Sequence, residues 1–325
     1  MEQTDRFLRV GITAILCALV LRLGSAGIPR KIADFLTQPD IAAFLIYLET
    51  GRDVRFSDSS AVFSPRFAES PPAVRPKEDP VPETLPSFAG EEIPALYYGC
   101  DVSVDAEALL QAPLSWDLTE NDPTVLILHT HSTESYTPKG EPYQEISQWR
   151  TLAEEYNMLS IGSRVGQLLS EGGIGVVQDR NLYDYPSYNG SYVRARRSIQ
   201  DYLTQYPSIR LVLDLHRDAS GGETQMRTAV DLGGSPCARL MLVLGTNHKA
   251  YEENLSLALK LHTQLQRQAP GIMRPLQLRA QRFNQDLSPG ALLIEVGAAG
   301  NSHAEAMAAA EQLAEAILAL AKGTE

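Results

Sequence analysis

The chain has 325 residues, long enough for two domains. Its 28 basic against 40 acidic side chains leave a formal net charge of −12, which argues against nucleic acid as the main partner, because phosphate binding needs a basic face. Three cysteines, Cys17, Cys100 and Cys237, are too few for a disulfide scaffold and form no C-x-x-C pair, although Cys100 and Cys237 have the option of pairing in an oxidising compartment. A metal site in such a chain is expected to use His and carboxylate ligands rather than thiolates.

The first segment, residues 1–31, reads as a signal peptide or membrane anchor. Arg6 and Arg9 precede an uncharged run at 10–21, and Gly24-Ser25-Ala26-Gly27 follows it. That run is short for a span, which needs about 20 residues, and a buried helix is the bland alternative. The first two readings send the rest of the chain across a membrane. Residues 32–60 form a membrane-proximal segment, helical because Ile41, Phe44, Leu45 and Leu48 recur at spacings of three and four. Residues 61–95 hold Pro71-Pro72, Pro76, Pro80, Pro82 and Pro86 with interleaved acidic residues, a linker composition that builds no core.

Residues 96–325 form the folded domain. Short apolar runs at 125–128, 174–177, 211–215, 240–244 and 291–296 predict buried strands. Amphipathic stretches at 156–170, 192–206, 254–268 and 304–321 predict helices, the first ended by Gly172-Gly173. Strands alternating with helices imply an α/β fold with a mostly parallel sheet flanked by helices. Ligands in such sheets bind outside the carboxyl ends of the strands.

Three of the strand runs end in polar groups suited to catalysis. The first runs into His129-Thr130-His131, the third into His216-Arg217-Asp218, and the last carries Glu295. In a parallel sheet these ends share one edge, so the groups can converge. Zinc takes His nitrogen and carboxylate oxygen in a tetrahedral shell with one open position in catalytic centres, and a further carboxylate beside its water takes the proton. One His after a strand is more often a hydrogen-bonded structural residue, but two such ends and a flanked Glu shift the balance toward a zinc hydrolase.

Four ordered segments carry a family resemblance: ILHTHSTESY at 127–136, SYNGSY at 187–192, LDLHRDA at 213–219 and NQDLSPGALLIEVG at 284–297. They resemble the stage II sporulation protein P family, which is related to the zinc N-acetylmuramoyl-L-alanine amidases. The resemblance implies a peptidoglycan hydrolase with amidase and endopeptidase activity, acting in engulfment during sporulation, tethered to a membrane in the intermembrane septal space. It also implies stage II sporulation proteins D and M as partners. Carried over residue by residue, it makes His131 (with His129 as rival) the first metal ligand. Glu155 becomes the second, with Glu154 and Glu145 as rivals, because the second ligand is a Glu opening a helix before an Asn. His216, ahead of Arg217-Asp218-Ala219, becomes the third. Glu295, in a Glu-x-Gly context, becomes the proton carrier.

Arg217 or the spare His of the first motif is then available to stabilise an oxyanion or bind a substrate carboxylate, against an ion pair from Arg217 to Asp214 or Asp218. His248 follows the fourth strand and is placed near the active edge. Asn284 and Asp286 either line the cleft or make a turn. Glu134 reads as a helix cap or a metal ligand. Arg194 and Arg197 are candidates for an acidic peptide stem. His262 and His303 read as surface residues. Ser132 beside His129 lacks the G-x-S-x-G elbow of a serine hydrolase. Two rival functions remain: a silent wall-binding scaffold, and a zinc peptidase acting on another peptide.

Overall fold

The short apolar runs become the strands of one seven-stranded sheet. In this computed structural model residues 88, 91–113, 117–118, 122–140, 145–147, 149–219 and 225–322 are described. All fall within the compact unit Pro65–Glu325. The expected anchor at 1–31, the segment at 32–60 and nearly all of the linker at 61–95 lie outside the described residues. Among the described residues no helix is long and apolar enough to cross a membrane.

In chain order the elements are β1 (Leu96–Tyr98), α1 (Ala106–Gln111), β2 (Val125–Leu128), β3 (Glu145–Ser147), β4 (Arg150–Thr151), a 3-10 turn (Glu154–Tyr156), α2 (Met158–Glu171), β5 (Val176–Gln178), α3 (Ser191–Gln205), β6 (Leu211–Asp218), β7 (Ala229–Leu232), β8 (Ser235–Ala238), β9 (Leu240–Gly245), α4 (Tyr251–Gln268), β10 (Leu276–Arg279), a second 3-10 turn (Gln285–Leu287), β11 (Ala291–Ala298) and α5 (His303–Lys322). The five expected strands and four expected helices are present. β1, α1, β10 and the small hairpins β3–β4 and β7–β8 are too short or too polar for periodicity to reveal.

The sheet order is β1-β10-β9-β11-β6-β2-β5. Every neighbouring pair is parallel except β9 and β11, which run antiparallel. The mostly parallel α/β expectation therefore stands. The carboxyl end of β9 nevertheless lies at the edge opposite to the carboxyl ends of β2, β6 and β11.

Alternation along each strand separates two faces. Val125, Ile127, Leu213, Leu215, Leu292 and Ile294 join the larger core, which also takes in buried residues of α2, α4 and α5. Leu126, Leu128, Val177 and Val212 face α3 and pack on its Ala195, Ile199 and Tyr202. With both faces covered, the central strands read as unbroken apolar runs; all four residues of β2 are fully buried. Cys100 and Cys237 are both free, so their pairing does not occur.

Candidate metal centre

The site grows from strand alternation at the carboxyl ends of β6 and β11. β6 runs past its expected end to Asp218, so His216 lies within a strand, as Glu295 does in β11. The parallel register sets Glu295 beside His216 and Leu293 beside Asp214. Counting in twos from Val212 puts Asp214 and His216 on the α3 face, and Glu295 shares that face. A register shift follows Glu295, between it and Ala298. There Gly297 takes a φ of +71°, a left-handed conformation that favours glycine.

The turn that follows β2 at 130–133 breaks the alternation and separates the two histidines. His129 continues the row of Val125 and Ile127 and lies under α2. Its Nδ1 bonds the Leu215 carbonyl at 3.1 Å, and the Gln178 amide nitrogen lies 3.2 Å from its Nε2. A Cβ on Gly162 would lie 2.4 Å from that Nε2, so α2 needs glycine there to pass over the ring. Burial pushes the His129 pKa down to about 4 despite the Leu215 hydrogen bond. His129 is thus a buried structural residue on the far face, and the role of spare oxyanion donor does not fit it.

His131 lies beyond, on the α3 face, 4.9 Å from the His216 ring and perpendicular to it. Between them stands Glu134. One of its oxygens is 3.5 Å from His131 Nδ1, and the other is 3.6 Å from His216 Nδ1. His131, Glu134 and His216 are all buried, and each offers a ligand atom within 4.8 Å of the others. The structure brings these three together and leaves Glu155 out. Glu155 is exposed in the 3-10 turn before α2, facing a groove with Ser160, Arg164 and Arg180. Glu154 pairs with Arg180, and Glu145 is exposed on β3. The Asn that made Glu155 look like a ligand is an N-cap: Asn157 Oδ1 accepts from Leu159 N at 2.9 Å. Glu134 caps no helix with its side chain.

The polar groups around the cluster hold it in place. Thr130 donates to Asp214 from its backbone N (2.8 Å) and its hydroxyl (2.6 Å), and Asp214 lies 2.9 Å from His216 Nε2. That last approach is an ion-pair contact rather than an aligned hydrogen bond, since Nε2 meets no partner at a good angle. Burial opposes charge on His216, but Asp214 and Glu134 outweigh it and raise the His216 pKa well above its ordinary value. Burial likewise opposes ionisation of Glu134; Arg217 and the two histidines overcome it and hold that carboxyl well below its usual range. Thr133 donates to Asp184, which also pairs with Arg150. Ser132 donates to the carbonyls of His129 and Asn181, so it is no nucleophile.

Arg217 points off the α3 face and is 6% exposed. It donates to the carbonyls of Ser135 (3.0 Å) and Trp149 (2.9 Å), lies 3.6 Å from Glu134, and its backbone N bonds the other Glu134 oxygen at 3.2 Å. Neither expected role fits: it pairs with neither Asp214 nor Asp218, and its guanidinium is committed to the loop. Asp218 pairs with Arg274 instead.

Glu295 completes the centre. One of its carboxylate oxygens is buried and has no hydrogen-bond partner. Burial, with a further push from Glu134 against the pull of His216, raises its pKa to about 8. A carboxyl with one buried, unpartnered oxygen beside two histidines and a carboxylate fits a cation and a water in the same space. The donor set of two imidazoles and one carboxylate suits zinc.

Several expected contributors sit elsewhere. His248 follows β9 and therefore lies at the opposite edge, near Asp286. Asp286 pairs with Arg196, and Asn284 bonds the Tyr192 carbonyl. Arg194 is spent on the carbonyls of Tyr183, Ser187 and Asn189. His262 is buried in α4, and His303 bonds Ser160 at 2.8 Å. Arg150, Asp184, Tyr188 and Tyr192 were not singled out in the sequence. Arg150 donates to Glu134 at 3.1 Å and lies over the Tyr188 ring, which stacks on His131. For Glu134 a signal existed: His131 and Glu134 are three residues apart.

The family model of stage II sporulation protein P matches residues 74–318. The chain belongs to the stage II sporulation protein P family. Stage II sporulation protein P of Bacillus subtilis (strain 168) is 30% identical over a match of 210 residues that covers 61% of this chain and 51% of that protein. The chain thus spans about half the length of the curated relative it matches. Among solved structures, an N-acetylmuramoyl-L-alanine amidase of Nostoc punctiforme aligns over 60% of this chain and 94% of its own, at 14% identity and a TM-score of 0.36. One from Clostridium difficile aligns over 61% and 94%, at 16% identity and a TM-score of 0.36.

Proposed function

We propose that this chain is a zinc-dependent peptidoglycan hydrolase of sporulation that cleaves the N-acetylmuramoyl-L-alanine amide bond. One observation carries the reading: the buried His131, Glu134 and His216 cluster with the unpartnered Glu295 carboxyl beside it. Family membership supports the cell-wall substrate, and the resemblance adds peptide cross-links as a second target.

His131, Glu134 and His216 would hold the ion. Bound zinc supplies a Lewis acid that polarises the scissile carbonyl and makes water acidic enough to react near neutral pH. Asp214 orients His216 from behind, the usual carboxylate support of a metal-binding imidazole. Arg217 and the two histidines keep Glu134 ionised, and the backbone of Arg217 and the side chain of Arg150 fix it in place. Glu295 takes the proton of the attacking water and returns it to the leaving amine as the C–N bond breaks. For that it must start ionised, and a cation at the neighbouring cluster favours its charged form against burial.

The reading extends to location. Residues 1–31 tether the domain on the outer side of a membrane, and stage II sporulation proteins D and M are its partners. Membrane retention of the full chain, and its loss on deleting residues 1–31, would support the tether; equal solubility of the two would refute it. Co-purification of each partner with the full chain from sporulating cells is expected, and its absence would remove that partner.

The activity is tested with purified protein, metal analysis and defined cell walls. About one zinc per chain and release of peptides with a free L-Ala amino group are expected. Zinc binding with no release would favour a wall-binding scaffold. Peptides trimmed only within the stem would favour a peptidase.

A further inference from the structure

Besides the metal, a hydrogen-bond donor can stabilise the oxygen that gains negative charge when the amide is attacked, and the two donors suggested by the sequence are otherwise engaged. Arg217 is bound to the loop, and His129 lies under α2. Tyr192, the second residue of α3, stands at the site. Its ring meets His131 edge-on at 5.5 Å and lies nearly parallel to His216 at 6.3 Å. On its other side it packs on Met241, Val243 and Leu293, with Phe283 at 5.8 Å. Leu293 is the β11 partner of Asp214, two residues before Glu295, so this packing holds the ring on the face that Glu295 shares with His216. Asn284 fixes the backbone beneath by donating to the Tyr192 carbonyl at 2.9 Å.

The hydroxyl distinguishes Tyr192 from its neighbours. Tyr136 donates to the Val296 carbonyl at 2.9 Å, and Tyr183 donates to Asp179. Tyr188 stacks on His131 but is 54% exposed. The Tyr192 ring is held by both histidines, yet its hydroxyl has no hydrogen-bond partner among the described residues. A phenol fixed at the ring and free at the oxygen is a preorganised donor.

We propose that Tyr192 is a catalytic residue whose hydroxyl donates a hydrogen bond to the amide oxygen as it becomes an oxyanion. This rests on the hydrolytic reading above. Water oxygen bonds to the carbonyl carbon, its proton passes to Glu295, and the π pair moves to the oxygen that Tyr192 contacts. When the C–N bond breaks, that pair re-forms the carbonyl and Glu295 protonates the amine. Tyr192 keeps its own proton throughout.

The test is Tyr192→Phe in the zinc-loaded protein, since Phe keeps the ring packing. Loss of one such donor is expected to lower kcat roughly 100-fold, with KM and zinc content unchanged. The affinity for a phosphinate analogue of the N-acetylmuramoyl-L-alanine amide should fall by a similar factor. An active wild type with an equally active Tyr192→Phe would overturn the role of Tyr192 alone. So would unchanged phosphinate affinity, or a loss that tracks lost zinc. A wild-type protein that neither cleaves the amide nor binds the phosphinate would overturn the hydrolytic reading, and this role with it.

Discussion

Glu295 and His216 are register partners on adjacent parallel strands, β11 and β6. The pairing sets a half-buried carboxyl, one oxygen of which is buried, beside a buried imidazole on one face of the sheet. On the proposed mechanism it separates the base from a metal ligand by one strand spacing, and two predictions follow from it directly.

Glu295→Gln keeps the shape and removes the proposed base. Zinc content should match the wild type while amide cleavage falls by at least about 100-fold. A variant with full activity would remove Glu295 from the proton path.

The same substitution should leave a stability signature in metal-free protein. The folded pKa of Glu295 is raised to about 8 from an ordinary 4.5, by burial first and Glu134 next. Wild-type stability therefore drops as pH rises above 4.5 and levels off above 8, because ionisation favours the unfolded chain. Glu295→Gln lacks this dependence. Its melting temperature relative to wild type, measured with chelator present, should climb between pH 5 and pH 8. A flat difference would mean the carboxyl is solvated.

Ligand identity is read from metal content. Glu134→Ala and His216→Ala should each lose bound zinc, whereas Glu155→Ala should retain it, because Glu155 is exposed and outside the cluster. Asp214→Asn should bind zinc about 10–100-fold more weakly, the usual cost of losing the group that orients a ligand imidazole. Zinc loss in Glu155→Ala with retention in Glu134→Ala would reverse the assignment.

Gly162→Ala should destabilise the fold by about 1–3 kcal/mol, because the added methyl meets the buried His129 ring. Chemical denaturation measures it. An unchanged midpoint would show that the ring moves freely.

Acid stability has a separate source in Glu305. Burial opposes its charge, but hydrogen bonds from Arg227 and Asn301 hold its pKa down to about 2. That stabilisation is complete above about pH 4.5 and is lost as pH falls toward 2. Glu305→Gln should narrow the gap in melting temperature between pH 5 and pH 3. An unaltered pH profile would refute the assignment.

The central strands and long helices were legible because each is an uninterrupted local pattern. His216 and Glu295 stood out for the same reason, as polar residues continuing apolar runs. Glu155 misled because an Asn after a Glu is shared by two motifs, and here Asn157 is a cap. His248 misled because an apolar run reads alike in either direction; only the antiparallel pairing of β9 with β11 shows that its end faces away.

The sequence by itself determined the α/β class, the family and three members of the candidate site, His131, His216 and Glu295, since these depend on local periodicity and ordered motifs. Tertiary structure decided the rest. It placed His129 and His131 on opposite faces, brought Glu134 between the two histidines, tied Arg217 to the loop and set Tyr192 against both rings. Each of those outcomes depends on which strands pair and which helix covers which face, and contacts between residues up to 86 positions apart are not encoded in any one segment.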